Sequence, residues 1–240
     1  MDMVRLKTFG EKARDKLERS IAYVRGFFAA PELYFRAGAR RVVMWGYKPT
    51  YIDMSHIPDT GAAVIICNHV SYMDGMVIQA GVPNRRVRFI IDGHIYKVPG
   101  VHYFMNLNGA IPILPTRESV TAAFDEVAKA LEEGDVVCIF PEGQLTYRGS
   151  LSRFRHGIEH IIKRTPVPIY PMAINGLWGS FFSRKYNKSW RRFFPQHLGQ
   201  KVTAICGEPI NPENINKDML QNEVLRLKYK IMEEAEEESS

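Results

Sequence analysis

The sequence contains little cysteine. Its 240 residues include three, Cys67, Cys138 and Cys206, and each stands in or beside an apolar stretch. Their spacing is neither that of a metal site nor that of a disulfide framework. We therefore expect reduced thiols in the core of a cytoplasmic protein, with no bound metal and no other cofactor.

Long apolar runs are also missing. No stretch of roughly 18 uncharged apolar residues occurs, and the first residues, MDMVRLKTFGEKARDK, lack the apolar segment of a secretory signal. Internal repeats and low-complexity linkers are absent as well. With 45% hydrophobic and 24% charged residues, the composition is that of one globular domain with a real core. We expect a chain that does not cross a membrane.

The positive charge is concentrated at the N-terminus. Residues 1–50 hold 11 Lys and Arg against 5 Asp and Glu, which accounts for the whole formal net charge of +6. Apolar residues recur there at three- and four-residue steps, and a second helical stretch starts at Pro31. We interpret residues 1–50 as a pair of amphipathic helices. They could simply pack on the core, but cations mixed with aromatics favour a surface of anionic lipid. The candidate membrane-binding residues are Arg25, Arg36, Arg40, Arg41 and Trp45.

Beyond residue 50 the pattern predicts an α/β domain over residues 51–240. Short β-branched runs alternate with helical segments, and the six strand candidates are AAVIIC, VRFII, AIPIL, DVVCIF, VPIYPMAI and KVTAIC. Such alternation indicates a largely parallel central sheet flanked by helices. The clearest helix runs from Thr116 to Glu133, with Thr116 as a cap and Gly134 at the end. The acidic last ten residues, IMEEAEEESS, are expected to fray.

A histidine and an aspartate follow the first of these strands. In CNHVSYMDG, His69 and Asp74 are five residues apart, so in one regular helix their side chains would point in different directions. They can meet if His69 lies in the turn before the helix, with Ser71 as its cap and Asp74 in its first turn. Asp74 would then hold one ring nitrogen and leave the other free to accept a proton.

A second polar element follows another buried strand. Phe140-Pro141-Glu142-Gly143 ends the run DVVCIF, at the carboxyl end of a strand, where open α/β sheets bind ligands. The glycine would allow a substrate to approach the backbone closely. A solvated turn is the alternative interpretation of the same three residues Pro-Glu-Gly.

Together the two elements resemble those of a known family. The chain is similar to the glycerolipid acyltransferases typified by 1-acylglycerol-3-phosphate acyltransferase, over roughly residues 60–180. Four blocks occur in the family's order: Asn68-His69-x4-Asp74, Gly109-Ala110-Ile111-Pro112-Ile113, Phe140-Pro141-Glu142-Gly143 and Val167-Pro168-Ile169-Tyr170-Pro171. The first and third blocks are diagnostic, and the other two are weak by themselves.

The resemblance implies a mechanism and a set of site residues. His69 would deprotonate the acceptor hydroxyl, which attacks the thioester of acyl coenzyme A or acyl carrier protein. Asp74 would hold the imidazole and stabilise its cation. Asn68, Glu142 and Gly143 would belong to the substrate site. Neither an acyl-enzyme nor a metal is implied.

The arginines depart from the family pattern. Members that use a phosphomonoester commonly carry arginines soon after the second block's isoleucine and directly after Glu-Gly. Here the corresponding arginines are displaced to Arg117 and Arg148. We assign both to phosphate binding, although they could equally be surface residues. The segment PEGQLTYRGSLSRFRHG also resembles enzymes that reacylate lysophosphatidylethanolamine, so the acceptor stays open between the two.

A basic and aromatic window, FFSRKYNKSWRRFF, covers residues 181–194. Cations among aromatics suit single-stranded nucleic acid, anionic lipid or core packing. No RNA-binding signature accompanies the window, and the acyltransferase blocks favour lipid. We therefore add Trp190, Arg191 and Arg192 to the membrane-binding residues and expect no nucleic-acid partner.

The sequence thus predicts a glycerolipid O-acyltransferase at the cytoplasmic face of the cell membrane, attached peripherally. Its predicted partners are a lysophospholipid, an acyl thioester and an anionic lipid surface. Acyl carrier protein is a further candidate partner, as the carrier of the acyl group. The acceptor expected first is 1-acylglycerol-3-phosphate, which would give phosphatidic acid, and the alternative is another lysophospholipid such as lysophosphatidylethanolamine. The alternative of another class is a binding module without catalysis, for membrane or nucleic acid. A catalytic base beside a carboxylate favours the enzyme.

Overall fold

The computed structural model describes residues 31–97, 101–180, 182–186 and 201–237. Its centre is a seven-stranded sheet in the order β1-β7-β6-β2-β5-β3-β4. The strands are β1 (Thr50–Ile52), β2 (Ala63–Cys67), β3 (Val87–Asp92), β4 (Ile111–Ile113), β5 (Val136–Ile139), β6 (Ile169–Asn175) and β7 (Thr203–Cys206).

Every neighbouring pair of strands is parallel except β6 and β7. All six predicted strands are present. The short β1 was missed because its three residues are exposed or half-buried and carry no alternating pattern. Because β2 to β6 run in one direction, their carboxyl ends meet at one edge of the sheet, where the predicted site residues follow β2 and β5.

Helices cover both faces of the sheet. They are α1 (Pro31–Gly46), α2 (Asp74–Gly81), α3 (Gly93–Tyr96), α4 (Val101–Leu107), α5 (Arg117–Glu132), α6 (Gly157–Arg164) and α7 (Lys217–Glu237). Two short 3₁₀ turns lie at Met54–His56 and Arg184–Tyr186. None of the helices in the described part of the chain combines the length and apolar character needed to span a bilayer.

Strand β2 shows why the core forms on both faces. Its five residues are completely buried. Ala63, Ile65 and Cys67 pack into one hydrophobic cluster, and Val64 and Ile66 pack into the other. This is the expected behaviour of a central parallel strand, which has no face left for water.

The predicted ends of α5 are confirmed. The Ser119 N–H donates to Thr116 Oγ1 over 3.2 Å, which satisfies one free donor of the first turn. Past the last turn, Gly134 has φ +83°, a left-handed conformation that favours glycine.

For the described part of the last ten residues the expected fraying was wrong, because α7 continues to Glu237, and residues 238–240 lie outside the description. Its buried Leu220, Val224, Leu227 and Ile231 follow a three- and four-residue spacing that anchors the helix to the sheet. This spacing was present in the sequence, but the acidic tail obscured it.

Of the two predicted N-terminal helices, only α1 lies within the described residues. Val43 is buried in the same cluster as β2, and Arg40 Nε donates to the Ala80 carbonyl at the end of α2 over 3.3 Å. The end of α1 is therefore part of the domain core, whereas its outer face exposes Val42 and Trp45, the latter at 84%.

Candidate active site

The site begins where β2 ends. The side-chain amide of Asn68 donates to the Ile174 carbonyl at 2.9 Å and accepts from the Ile174 N–H at 2.8 Å. The amide thus replaces one rung of backbone pairing with β6, and it is 1% exposed. These contacts occupy both ends of the amide and fix the position at which the chain leaves the sheet, and a role of Asn68 toward substrate stays a prediction.

His69 and Asp74 meet as the sequence analysis expected. His69 Nδ1 lies 2.8 Å from Asp74 Oδ2, with His69 in the turn before α2 and Asp74 as its first residue. An ionised carboxylate only accepts, so Nδ1 carries the proton and Nε2 presents a lone pair. None of the described residues hydrogen-bonds Nε2, and the imidazole side chain remains 20% exposed.

The Asp74 carboxylate is fully buried and is held by backbone donors as well as by the histidine. Its Oδ2 accepts from the Val70 N–H at 2.7 Å and from the Ser71 N–H at 3.0 Å. These charge-assisted bonds all fall on Oδ2 and offset part of the cost of removing the carboxylate from water, whereas the buried Oδ1 has no hydrogen-bond partner among the described residues. They also fold residues 70–73 into a tight turn.

The predicted cap at Ser71 was wrong. The helix starts at Asp74, so the cap residue is Met73, whose side chain makes no capping hydrogen bond. Ser71 Oγ accepts instead from the Met73 N–H at 3.2 Å, while the Ser71 N–H is already used by Asp74. The turn before the helix is therefore held mainly by the Asp74 carboxylate, and not by the Ser71 hydroxyl as expected.

Both main-chain groups of His69 are bound by the second polar element. Its N–H donates to Glu142 Oε1 at 2.7 Å, and its carbonyl accepts from the Thr146 N–H at 2.9 Å. The ring of Phe140 stacks on the imidazole, with centroids 4.0 Å apart and planes 12° from parallel. The histidine is thus fixed at backbone and ring, and only Nε2 faces outward.

Glu142 is a buried carboxylate, 2% exposed. Besides the His69 N–H, it accepts the Ser152 N–H at Oε2 over 2.7 Å. Burial raises the pKa of the Glu142 carboxyl above its ordinary value, and the hydrogen bonds from His69 and Ser152 oppose that rise. Its oxygens hold two loops together, and its role in the substrate site stays a prediction.

Gly143 adopts φ +68° in a turn closed by its N–H to the Phe140 carbonyl at 2.9 Å. A Cβ at this position would lie 2.6 Å from Arg155 Nε. The group that lies against the glycine is therefore the guanidinium of Arg155, and the approach of a substrate to this backbone stays a prediction. Arg155 Nε also donates to the Glu142 carbonyl at 3.1 Å.

Arg155 was missed from the sequence, because it lies twelve positions beyond Gly143 in the loop before α6. The sequence signal for Arg155 is the segment RFRHG, which ends the stretch that resembles the enzymes that reacylate lysophosphatidylethanolamine and to which no role is given above. The two predicted arginines are exposed, as Arg155 is: Arg117 lies at the start of α5, and Arg148 lies in the loop after β5. Both follow carboxyl ends of parallel strands.

The cysteines cannot supply a nucleophile at this site. All three thiols are buried, and burial raises the pKa of Cys67 and Cys138 well above the ordinary range and that of Cys206 to about 12. Among the described residues, no three His, Cys, Asp or Glu side chains come together as a metal site would require.

The predicted membrane-binding residues are only partly described. Arg36, Arg40, Arg41 and Trp45 lie on α1, with Arg41 exposed and Arg40 bonded to α2 as given above. Arg25, Trp190, Arg191 and Arg192 lie outside the described residues.

Comparison with known proteins places this site in context. The Acyltransferase family model matches residues 48–175, a little over half of the chain. The matched range includes His69, Asp74 and Glu142 and starts after α1.

Two relatives illustrate the similarity. A protein from Mycoplasma pneumoniae named probable 1-acyl-sn-glycerol-3-phosphate acyltransferase is 25% identical over 80% of this chain and 74% of its own length. The 1-acyl-sn-glycerol-3-phosphate acyltransferase of Cocos nucifera is 32% identical over 77% of this chain, which spans only 57% of that protein.

A solved structure shares the fold. The crystal structure of the 1-acyl-sn-glycerophosphate acyltransferase PlsC from Thermotoga maritima superposes with a TM-score of 0.66 at 21% identity. The match covers 85% of this chain and 78% of the other. The predicted α/β fold with a largely parallel, helix-flanked sheet is confirmed.

Proposed function

The chain belongs to the Acyltransferase family, and on that premise we propose that it moves a fatty acyl group from a thioester to the hydroxyl of 1-acylglycerol-3-phosphate, giving phosphatidic acid. The family resemblance seen in the sequence is confirmed by the match over residues 48–175. Several relatives bear names that specify this acceptor. Family membership sets aside the alternative of a module without catalysis.

One observation carries the proposal: an imidazole whose Nδ1 is bound to a buried carboxylate at 2.8 Å while Nε2 faces outward. Nε2 of His69 removes the proton of the acceptor hydroxyl as its oxygen attacks the thioester carbonyl. The C–O bond forms, the C–S bond breaks, and the imidazolium returns the proton to the departing sulfur. The products are an ester and a free thiol, and no residue of the chain is acylated.

Asp74 supports the step in two ways. Its carboxylate fixes the tautomer in which Nε2 is the base, and it stabilises the imidazolium formed during transfer. Because Oδ2 is also held by the Val70 and Ser71 N–H groups, the carboxylate does not have to reorganise when the charge appears.

Recognition of the acceptor phosphate is assigned to Arg155 together with the sequence-predicted Arg117 and Arg148. Arg155 is anchored through Nε to the Glu142 carbonyl, on the loop that holds His69. Its terminal nitrogens can therefore offer the paired donors that a phosphate prefers, at a fixed place beside the base. Arg117 and Arg148 are exposed and reach the same edge of the sheet.

The acceptor is a lipid, so the enzyme has to work at a membrane. We infer that the enzyme attaches peripherally to the cytoplasmic face of the membrane. The exposed Trp45 and Val42 beside Arg41 on α1 and the basic N-terminal sequence support this inference. The acyl donor is acyl coenzyme A or acyl carrier protein.

A thiol-release assay tests the proposal. Purified full-length protein is given acyl coenzyme A, with and without 1-acylglycerol-3-phosphate, and the free thiol is measured. We expect release that requires the acceptor and disappears in His69→Ala. A panel with lysophosphatidylethanolamine and other headgroups follows: a preference for one of these over 1-acylglycerol-3-phosphate would replace the proposed acceptor.

A further inference from the structure

Three exposed aromatic side chains stand on the segments that surround His69. Tyr72 lies in the turn between His69 and Asp74, Tyr147 lies on the loop that follows Glu142, and Phe182 lies after β6. They are 51%, 67% and 39% exposed, respectively. We call these three residues the aromatic rim.

The aromatic rim is joined to the catalytic turn by direct contacts. The Tyr72 N–H donates to the Phe182 carbonyl at 3.3 Å, and Ser71 pairs with Ser183 in an isolated antiparallel bridge. On the other side, Tyr147 follows Thr146, whose N–H holds the His69 carbonyl. The segments that carry the three aromatics are therefore bonded to the turn of the histidine, although they come from distant parts of the sequence.

The surroundings of the rim carry charge of one sign. The Arg184 guanidinium lies 4.6 Å from the centre of the Tyr147 ring, and its Nη1 donates to the Leu145 carbonyl at 3.3 Å. Arg148 and Lys185 are exposed next to these residues, and the segments 69–73, 143–153 and 182–186 contain no Asp or Glu. Exposed aromatics with cations and no carboxylates complement an anionic lipid headgroup layer.

We propose that the aromatic rim is a lipid-docking surface that seats the mouth of the active site in the headgroup layer of an anionic membrane. The inference rests on the proposed function, because a lipid acceptor must reach His69 from the bilayer. The rim differs from α1, whose exposed Trp45 could attach the protein without orienting the site. Docking through the rim places Nε2 at headgroup depth, so that a lysophospholipid can react with its acyl chain still in the bilayer.

The test separates docking from chemistry by presenting one acceptor in two forms. Full-length protein is assayed with short-chain 1-acylglycerol-3-phosphate as a monomer, and with the long-chain form in vesicles of phosphatidylglycerol and phosphatidylcholine. Vesicle affinity is measured by co-sedimentation. The variants are Tyr147→Ser and Phe182→Ser, and the matched control is Tyr229→Ser on α7, where the tyrosine is similarly exposed at 55%.

We expect each rim variant to lose about three- to tenfold in vesicle affinity and in kcat/KM for the vesicle acceptor, with kcat/KM for the monomer unchanged, as interfacial aromatics require. The control should match the wild type in all three measurements. Unchanged vesicle affinity, or equal losses on both forms of acceptor, would overturn the docking role.

Two further outcomes are informative. If rim variants keep their vesicle affinity but lose activity only with acyl carrier protein as donor, the rim binds the acidic carrier and the lipid proposal is wrong. If the wild type acylates no lysophospholipid while vesicle binding still depends on the rim, the proposed function fails and the docking surface stands. Circular dichroism of each variant confirms that the fold is intact.

Discussion

The carboxylate of Glu142 binds the main-chain N–H of His69 at 2.7 Å, across 73 positions of sequence. The same carboxylate binds the Ser152 N–H, and the Thr146 N–H returns to the His69 carbonyl. The two diagnostic sequence blocks are therefore one structural unit. Glu142 thereby fixes the position of the His69 backbone.

Substitution of His69 or Asp74 should lower the activity without unfolding the protein. His69→Ala should lower kcat by about 10²–10⁴-fold, the usual contribution of a positioned general base, while circular dichroism shows that the fold is retained. Asp74→Asn should lower kcat without raising the Michaelis constant, since it disturbs the tautomer and leaves the acceptor site in place. Near wild-type turnover in His69→Ala would refute the mechanism.

Glu142→Gln should reduce kcat more than it changes the Michaelis constants. The amide oxygen can still accept one N–H, but the second charged hydrogen bond is lost, at a cost of about 1.5–3 kcal/mol to the unfolding free energy. Steady-state kinetics and urea denaturation measure the two effects. A raised Michaelis constant for the acceptor with unchanged kcat would show direct substrate contact instead.

The same variant should alter the dependence of stability on pH. Burial raises the pKa of Glu142 above its ordinary value of 4.5 in the folded chain, so the folded state holds this proton more tightly than the unfolded state. Its contribution is fully present below pH 4.5 and is lost as the pH rises through the folded pKa. The unfolding free energy of the wild type relative to Glu142→Gln should therefore fall across this window. A difference that rises with pH would contradict the direction of the shift.

Gly143→Ala should be destabilising for two separable reasons. A positive φ of +68° strains any L side chain, and the new Cβ would stand 2.6 Å from Arg155 Nε. Gly134→Ala is the matched control, because its φ of +83° carries the strain while no atom lies within 4 Å of the added Cβ. We expect the larger loss in Gly143→Ala, and Arg155→Ala in the same chain should relieve the excess. Additive effects in the double variant would exclude the contact.

The three candidate phosphate arginines can be ranked by kinetics. Arg155→Gln should raise the Michaelis constant for 1-acylglycerol-3-phosphate by about tenfold or more, because a charged hydrogen-bond pair of about 1.5–3 kcal/mol is lost. Arg117→Gln and Arg148→Gln should have smaller effects, since the structure shows no comparable anchor on the loop of His69 for either side chain. Arg153→Gln, an exposed neighbour, is the control. Equal Michaelis constants for 1-acylglycerol-3-phosphate in Arg155→Gln and the wild type would show that Arg155 does not bind the phosphate, and Arg117 and Arg148 would remain the candidates.

The sequence predicted the parts of the site that are local. The six strands, the caps of α5 and the approach of Asp74 to His69 follow from spacing and burial patterns over a few residues. The N–H contacts of Glu142, the placement of Arg155 on Gly143 and the stacking of Phe140 depend on how β2 and β5 pair, which no local pattern specifies. Ser71 failed as a cap because the helix starts only at Asp74, whose carboxylate holds the preceding turn through the Val70 and Ser71 N–H groups.

Asn68 has a consequence for how the enzyme acquires its activity. Its amide reaches Ile174, 106 positions away, so this anchor at the start of the catalytic turn forms only after β6 has joined β2. Contacts between such distant positions form late in folding, because a long loop has to close first. During refolding, recovery of acyl transfer should therefore lag behind recovery of helical signal. In this protein, the time course of recovered acyl transfer should therefore report when the sheet is complete.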